Sequence, residues 1–219
     1  SALLEENEVP GLRPLRKLDL RDNTLADLRE EVGRMQSLRA VHLCRNEIKA
    51  LPDTLAVLRN LRVLVATDNQ ISRVPDDLGA LAHSLQLLDL QFNRLVEFPQ
   101  AIARLSLLQE LNLSHNALSL VKLEDPSFAA LPALRYLYLD HNKLLAITAG
   151  VSSLPAEAGV DGGGHALSLA SLRVLSAVDN QVATWPDFTQ AKRLHTMRLS
   201  KNCLTKIGDS IANLRLLRL

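Results

Sequence analysis

The chain has 219 residues, of which 47% are apolar and only 3% aromatic, and its formal net charge is +1. Such a balance supplies no global field to recruit nucleic acid or a membrane surface. Pro or Arg interrupts the longest apolar stretches, so no run reaches the roughly 18 residues that membrane insertion as a helix requires.

The chain opens on Ser-Ala-Leu-Leu-Glu-Glu-Asn-Glu, which is acidic and lacks the pattern of a secretory signal. Val9 and Leu12 space like the return half of a structural unit, so residues 1–14 read as that half or as an N-terminal cap. From Leu15 onward one pattern recurs. Asparagine stands at Asn23, Asn46, Asn69, Asn93, Asn116, Asn142, Asn180 and Asn202, and the first five lie 23 or 24 residues apart. Leucine-type residues sit eight, five and three positions before each Asn and two after it, as in Leu85, Leu88, Leu90, Asn93 and Leu95. The first part of each unit alternates apolar and other residues with period 2, which predicts a short strand. Apolar spacing of three then follows, as in Leu55, Leu58 and Leu61, which predicts a helical or 3₁₀ return. A single coil of this kind cannot bury its leucines, so neighbours must stack. The Asn follows the strand, where the chain turns inward. Its amide can donate and accept, so it is expected to satisfy backbone groups of its own turn and of the next coil.

Two spacings depart from the rule. About three residues are added around Glu124-Asp125-Pro126-Ser127, and about fifteen within 149–168. Five of the nine glycines fall between Gly150 and Gly164, so the second insertion reads as a flexible surface loop or a loop that touches a partner. Repeat eight closes at Leu214, and residues 217–219 start a ninth. No polar capping unit is evident at either end, which reads as a fragment of a longer protein. The continuous repeat argues for one domain over residues 1–219, of about eight repeats.

The pattern LxxLxLxxNxL resembles the leucine-rich repeat. It implies an α/β fold: a curved right-handed solenoid with a parallel concave sheet and short helical or 3₁₀ convex segments. The Leu-Pro element in Leu51-Pro52, Val74-Pro75, Phe98-Pro99 and Trp185-Pro186 further resembles the intracellular Ras-suppressor and Ras-scaffold group. Repeats one, five, six and eight lack the Pro. The resemblance implies a platform that binds a protein partner on the concave sheet, with a small GTPase or a phosphatase among the partner types of that group.

Chemistry is hard to find. No phosphate loop, nucleophile elbow, zincin helix or C-x-x-C is present. His115 and His141 share a register position with Asp179 in the next repeat, but the long insertion separates His141 from Asp179 and no fixed outer shell is visible. No catalytic residue, cofactor or metal is expected. The cysteines, Cys44 and Cys203, sit six strands apart, roughly 29 Å at ~4.8 Å per strand, too far for a disulfide. With no clustered cysteines at the ends, the chain reads as intracellular and cytoplasmic. Trp185 and Phe98 occupy the Leu-Pro position, which the register makes core.

Positions between the consensus leucines face away from the core and line the concave sheet. They offer Val63 and Val65 in repeat three, Leu87 and, just past the strand, Phe92 in repeat four, and Tyr136 and Tyr138 in repeat six. Glu110 and Asn112 lie between. Asp89, Glu110 and His141 would set the polarity of a partner docked there. Charges cancel among Lys17, Asp19, Arg21 and Asp22, sum to −3 over repeats three to seven, and leave only Arg198 and Lys201 as a basic end. No nucleic-acid surface emerges from these positions. A free-standing protein-interaction module and the recognition part of a larger enzyme fit the residues alike.

Overall fold

The computed structural model describes residues 14–119, 121–122, 131–148, 169–185, 191–214 and 216. The insertion at 149–168, most of the N-terminal segment 1–14, the start of a ninth repeat at 217–219, and Phe128 and Phe188 lie outside them.

Each repeat opens on a three-residue strand with its consensus leucine-type residue at the centre. These are β1 (Lys17–Asp19), β2 (Ala40–His42), β3 (Val63–Val65), β4 (Leu87–Asp89), β5 (Glu110–Asn112), β7 (Tyr136–Tyr138), β9 (Val174–Ser176) and β10 (Thr196–Arg198). They pair in parallel in the order β1-β2-β3-β4-β5-β7-β9-β10, an open sheet with the leucines in one row. Tyr136 pairs directly with Val174 across the long insertion, so the added residues do not part the sheet.

The returns take the 3₁₀ form that the spacing of three demands. Asp53–Val57, Asp76–His83 and Gln100–Arg104 each start after a proline in extended conformation: Pro52, Pro75 and Pro99. Pro has no N–H to leave unpaired there and sets φ for the turn. Glu30–Arg34 and Asp209–Asn213 begin after Arg29 and Gly208 instead, so the proline favours the geometry without being required for it. Repeats five and six depart further. Their returns begin as β6 (Val121–Lys122) and β8 (Ile147–Thr148), a two-stranded parallel sheet of their own.

Between sheet and returns runs one aliphatic core. Leu38, Val41, Leu43, Ile48, Leu55, Leu58 and Leu61 are fully buried, and repeat four repeats this at Leu85, Leu88 and Leu90. Phe98 is buried as the register requires, whereas Trp185 is half-buried. The indole lies against Gly208 of the next coil, where a β-carbon would come within 2.6 Å of its Cδ1.

The asparagine ladder differs from expectation in one respect. Asn93 Nδ2 donates to Leu90 O in its own turn (3.0 Å) and to Ala66 O of the preceding coil (2.9 Å), and Ile71 N of that preceding coil donates to Asn93 Oδ1 (2.9 Å). Asn46, Asn69, Asn116, Asn142, Asn180 and Asn202 likewise bond backward. The following coil was the expected partner. Its carbonyls are already taken by the turn's own backbone, through Phe92 N to Ser114 O and Asn93 N to His115 O.

Candidate functional site

Strand register sorts the outward side chains into rows. Val63, Leu87, Glu110 and Tyr136 are consecutive partners in the first row, and Val65, Asp89, Asn112 and Tyr138 in the second. All eight are half-buried, as neighbours within one sheet leave them when nothing covers the face. Glu110 and Asn112 therefore stand between the aliphatic pair and the tyrosine pair. Asp89 accepts from Gln91 N at 3.0 Å, and Asn112 Nδ2 donates to Gln91 Oε1 at 3.1 Å.

Phe92 and His141 belong to a different row. The residue before each recurring Asn takes a left-handed backbone, with φ from 52 to 59°, at Asp22, Arg45, Asp68, Phe92, His115, His141, Asp179 and Lys201. Only Gly adopts that region without cost, and Asn, Asp and His are tolerated there better than Phe, Arg or Lys. The turn is held because its N–H groups are needed by the next coil, so the side chain is thrown outward along the sheet edge. Phe92, exposed to 46%, stacks on His115 at 4.0 Å, and His115 stacks on His141 at 4.1 Å. His141 Nδ1 meets Asp179 Oδ2 at 2.8 Å. The register position shared by the two histidines and Asp179 is thus continuous in space despite the insertion. The stacked rings lie face to face, and among the described residues no group of three or more His, Cys, Asp or Glu is arranged to hold a metal ion.

A hollow of about 370 Å³ lies between these rows, lined by Gln91, Glu110, Asn112, Ser114, His115, Tyr138, Asp140 and His141. Sequence reasoning did not single out Gln91; it counted Asp140 only among the charges of the concave face and weighed Ser114 only as a neighbour of His115 that spacing rules out as a dyad. Their signal was the position just before the left-handed residue, which alternation alone does not mark. Asp140 locks β7 to β9 here, its Oδ1 accepting from Ser176 Oγ (2.6 Å) and Val178 N (2.7 Å).

Burial shapes the electrostatics. Loss of water raises the Asp89 carboxyl above its ordinary range, against its hydrogen bonds. Glu110 is raised by burial and by the neighbouring Asp89 charge, and Tyr138 by burial and by Glu110. His115 is lowered by burial and by His141. The face can exclude water and hydrogen-bond a partner.

No helix among the described residues is long and apolar enough to cross a membrane. Cys44 is half-buried and Cys203 exposed, and both are free thiols.

Comparison with known proteins agrees with this architecture. The sequence profile described as Leucine rich repeat matches residues 13–71, 59–118 and 83–144, more than half of the chain. A leucine-rich-repeat protein of Leptospira interrogans superposes with a TM-score of 0.68 at 29% identity, over 93% of this chain and 53% of that one. The ectodomain of the plant membrane receptor kinase GASSHO1/SCHENGEN3 from Arabidopsis thaliana, solved in complex with Casparian strip integrity factor 2, gives 0.73 at 27%, over 92% of this chain and 23% of that one. Adenylate cyclase of Schizosaccharomyces pombe is 30% identical over 122 residues, 56% of this chain and 6% of that protein. The chain thus spans only part of these relatives. Its profile matches, its backward-bonded asparagines and its row of buried leucines place it in the leucine-rich-repeat family.

Proposed function

We propose that this chain is a non-catalytic protein-interaction module that holds a protein partner on its concave sheet. The observation that carries the reading is the pair of rows Val63-Leu87-Glu110-Tyr136 and Val65-Asp89-Asn112-Tyr138, half-buried and covered by no other element among the described residues. Apolar groups rimmed by polar ones mark interaction sites, and Tyr is enriched among residues that dominate binding energy. Phe92 and His141 extend the contact from the sheet edge, and Asp89, Glu110 and His141 set its polarity. The receptor ectodomain solved with a bound factor supports this use of the fold. We read residues 1–219 as one such domain. A role as an intracellular signalling scaffold, with a small GTPase or phosphatase as partner, rests on the Leu-Pro resemblance.

A second reading is that the domain is the recognition part of a larger enzyme. The match to 6% of an adenylate cyclase favours it. The two readings share the same face and differ in what is attached to it.

Tyr136→Ala with Tyr138→Ala is the test. Affinity for a partner should fall by 2 kcal/mol or more, about thirtyfold, with the unfolding midpoint unchanged. Wild-type affinity in the double variant would remove these tyrosines from the site.

A further inference from the structure

The edge of the sheet where the strands begin carries a second feature, independent of the concave patch. The residue just before each strand forms a hydrogen-bonded ladder: Arg39 N donates to Arg16 O (2.7 Å), Arg62 N to Arg39 O (2.9 Å), and Gln86 N to Arg62 O (2.8 Å). It continues through Gln109 to Arg135 (2.8 Å) and Arg173 (2.8 Å). Neighbouring rungs are therefore one strand spacing apart, ~4.8 Å. The turns that lead into this ladder add Arg59, Lys192 and Arg193. Among the described residues, these three register positions hold eight Lys or Arg and no Asp or Glu. With +1 overall and +8 on this edge, the rest of the chain carries −7. The ion pairs found in the described residues all lie elsewhere, on Asp19, Asp22, Asp76 and Asp179.

Like charges at one strand spacing repel, and intervening acids would relieve that repulsion at no cost to the fold. We infer that this edge docks an acidic, extended polypeptide segment that crosses the strands. Seven of the eight cations are Arg, whose planar fork pairs carboxylates two bonds at a time. The cations form two groups, Arg16-Arg39-Arg62 with Arg59, and Arg135-Arg173 with Lys192 and Arg193. Gln86, Gln109 and the exposed Leu107 lie between them. Arg62 and Arg135 are three steps apart, about 14 Å, which an extended chain at ~3.3 Å per residue covers in about four residues. The fitting segment thus has two acidic runs separated by about four neutral or apolar residues. The strip contains no Phe, Tyr or Trp on which bases could stack, which favours polypeptide over single-stranded nucleic acid.

The test uses the whole chain and a labelled twelve-residue peptide with four glutamates at each end and four neutral residues between, read by fluorescence anisotropy. Binding should weaken with added salt and fall at least tenfold in Arg39→Glu with Arg62→Glu. It should change less than twofold in Arg94→Glu with Lys143→Glu, a reversal of equal size at the opposite edge. If the first pair perturbs the unfolding midpoint, Arg39→Gln with Arg62→Gln replaces it, with at least a threefold loss expected. No peptide binding, an equal loss in both reversal pairs, or binding of a twelve-residue oligothymidine or anionic phosphatidylserine vesicles as tight as that of the peptide would overturn the inference.

Discussion

A single amide explains why the period is rigid. Asn93 satisfies carbonyls in two coils and accepts one N–H, so its side chain ties the turn of repeat four to the coil before it. Replacing it with Leu leaves Ile71 N without its acceptor and takes one of two side-chain donors from Leu90 O and Ala66 O, which keep Asn116 and Asn69; an orphaned donor of this kind costs on the order of 1–3 kcal/mol. Asn93→Leu is therefore expected to lose about 1–3 kcal/mol in a urea titration; an unshifted midpoint would show that the bonds are not contributing. The recurrence of Asn was plain in the sequence, and so was its role as a tie. Its direction was not. Seeing that the forward carbonyls are occupied requires knowing where Phe92 N and Asn93 N point, and those depend on the left-handed residue at each turn. Phe, Arg and Lys occupy that position here beside Asp and His, so no residue type announces it.

Each strand carries two opposed demands. Leu88 at the centre of β4 is fully buried, while Leu87 and Asp89 beside it face out. Alternation made that division legible, which is why the rows around Val63, Leu87 and Tyr136 could be listed from sequence. What alternation could not show is that Asp89 lies mostly out of water among its neighbours. Its carboxyl is raised above the ordinary range by burial. A group raised in the folded state contributes its full stability below the unfolded value and loses it as pH rises through the folded value. At neutral pH, ionised Asp89 thus costs stability. Asp89→Asn, which keeps an acceptor for Gln91 N, should raise the unfolding midpoint near pH 7. The gap should close as the solution is acidified below the ordinary carboxylate range. A variant less stable than wild type at pH 7 would mean that the hydrogen bonds to the carboxylate outweigh its burial. The Arg ladder escaped notice for a related reason. Its residues precede the strands, outside the positions that alternation assigns to the concave face, and the net charge of +1 conceals it.

Over the whole molecule, stacking converts a 23-residue rule into a sheet of eight strands among the described residues, and the rule was enough to specify that sheet. It also survives its exceptions. Returns without proline become 3₁₀ turns or a small second sheet, and the insertion at 149–168 leaves β7 and β9 paired. Function is less legible because it resides in the positions that the repeat leaves free. The concave patch, the stacked Phe92-His115-His141 edge and the basic edge all use residues that the core does not constrain. The most direct measurement is a hydroxyl-radical footprint of the chain with and without its bound partner. Tyr136, Tyr138, Leu87 and Phe92 should become protected, while Val57 and Val96, exposed outside the concave sheet, keep their reactivity. Protection confined to Val57 and Val96, with both tyrosines unchanged, would contradict a concave-face binding module.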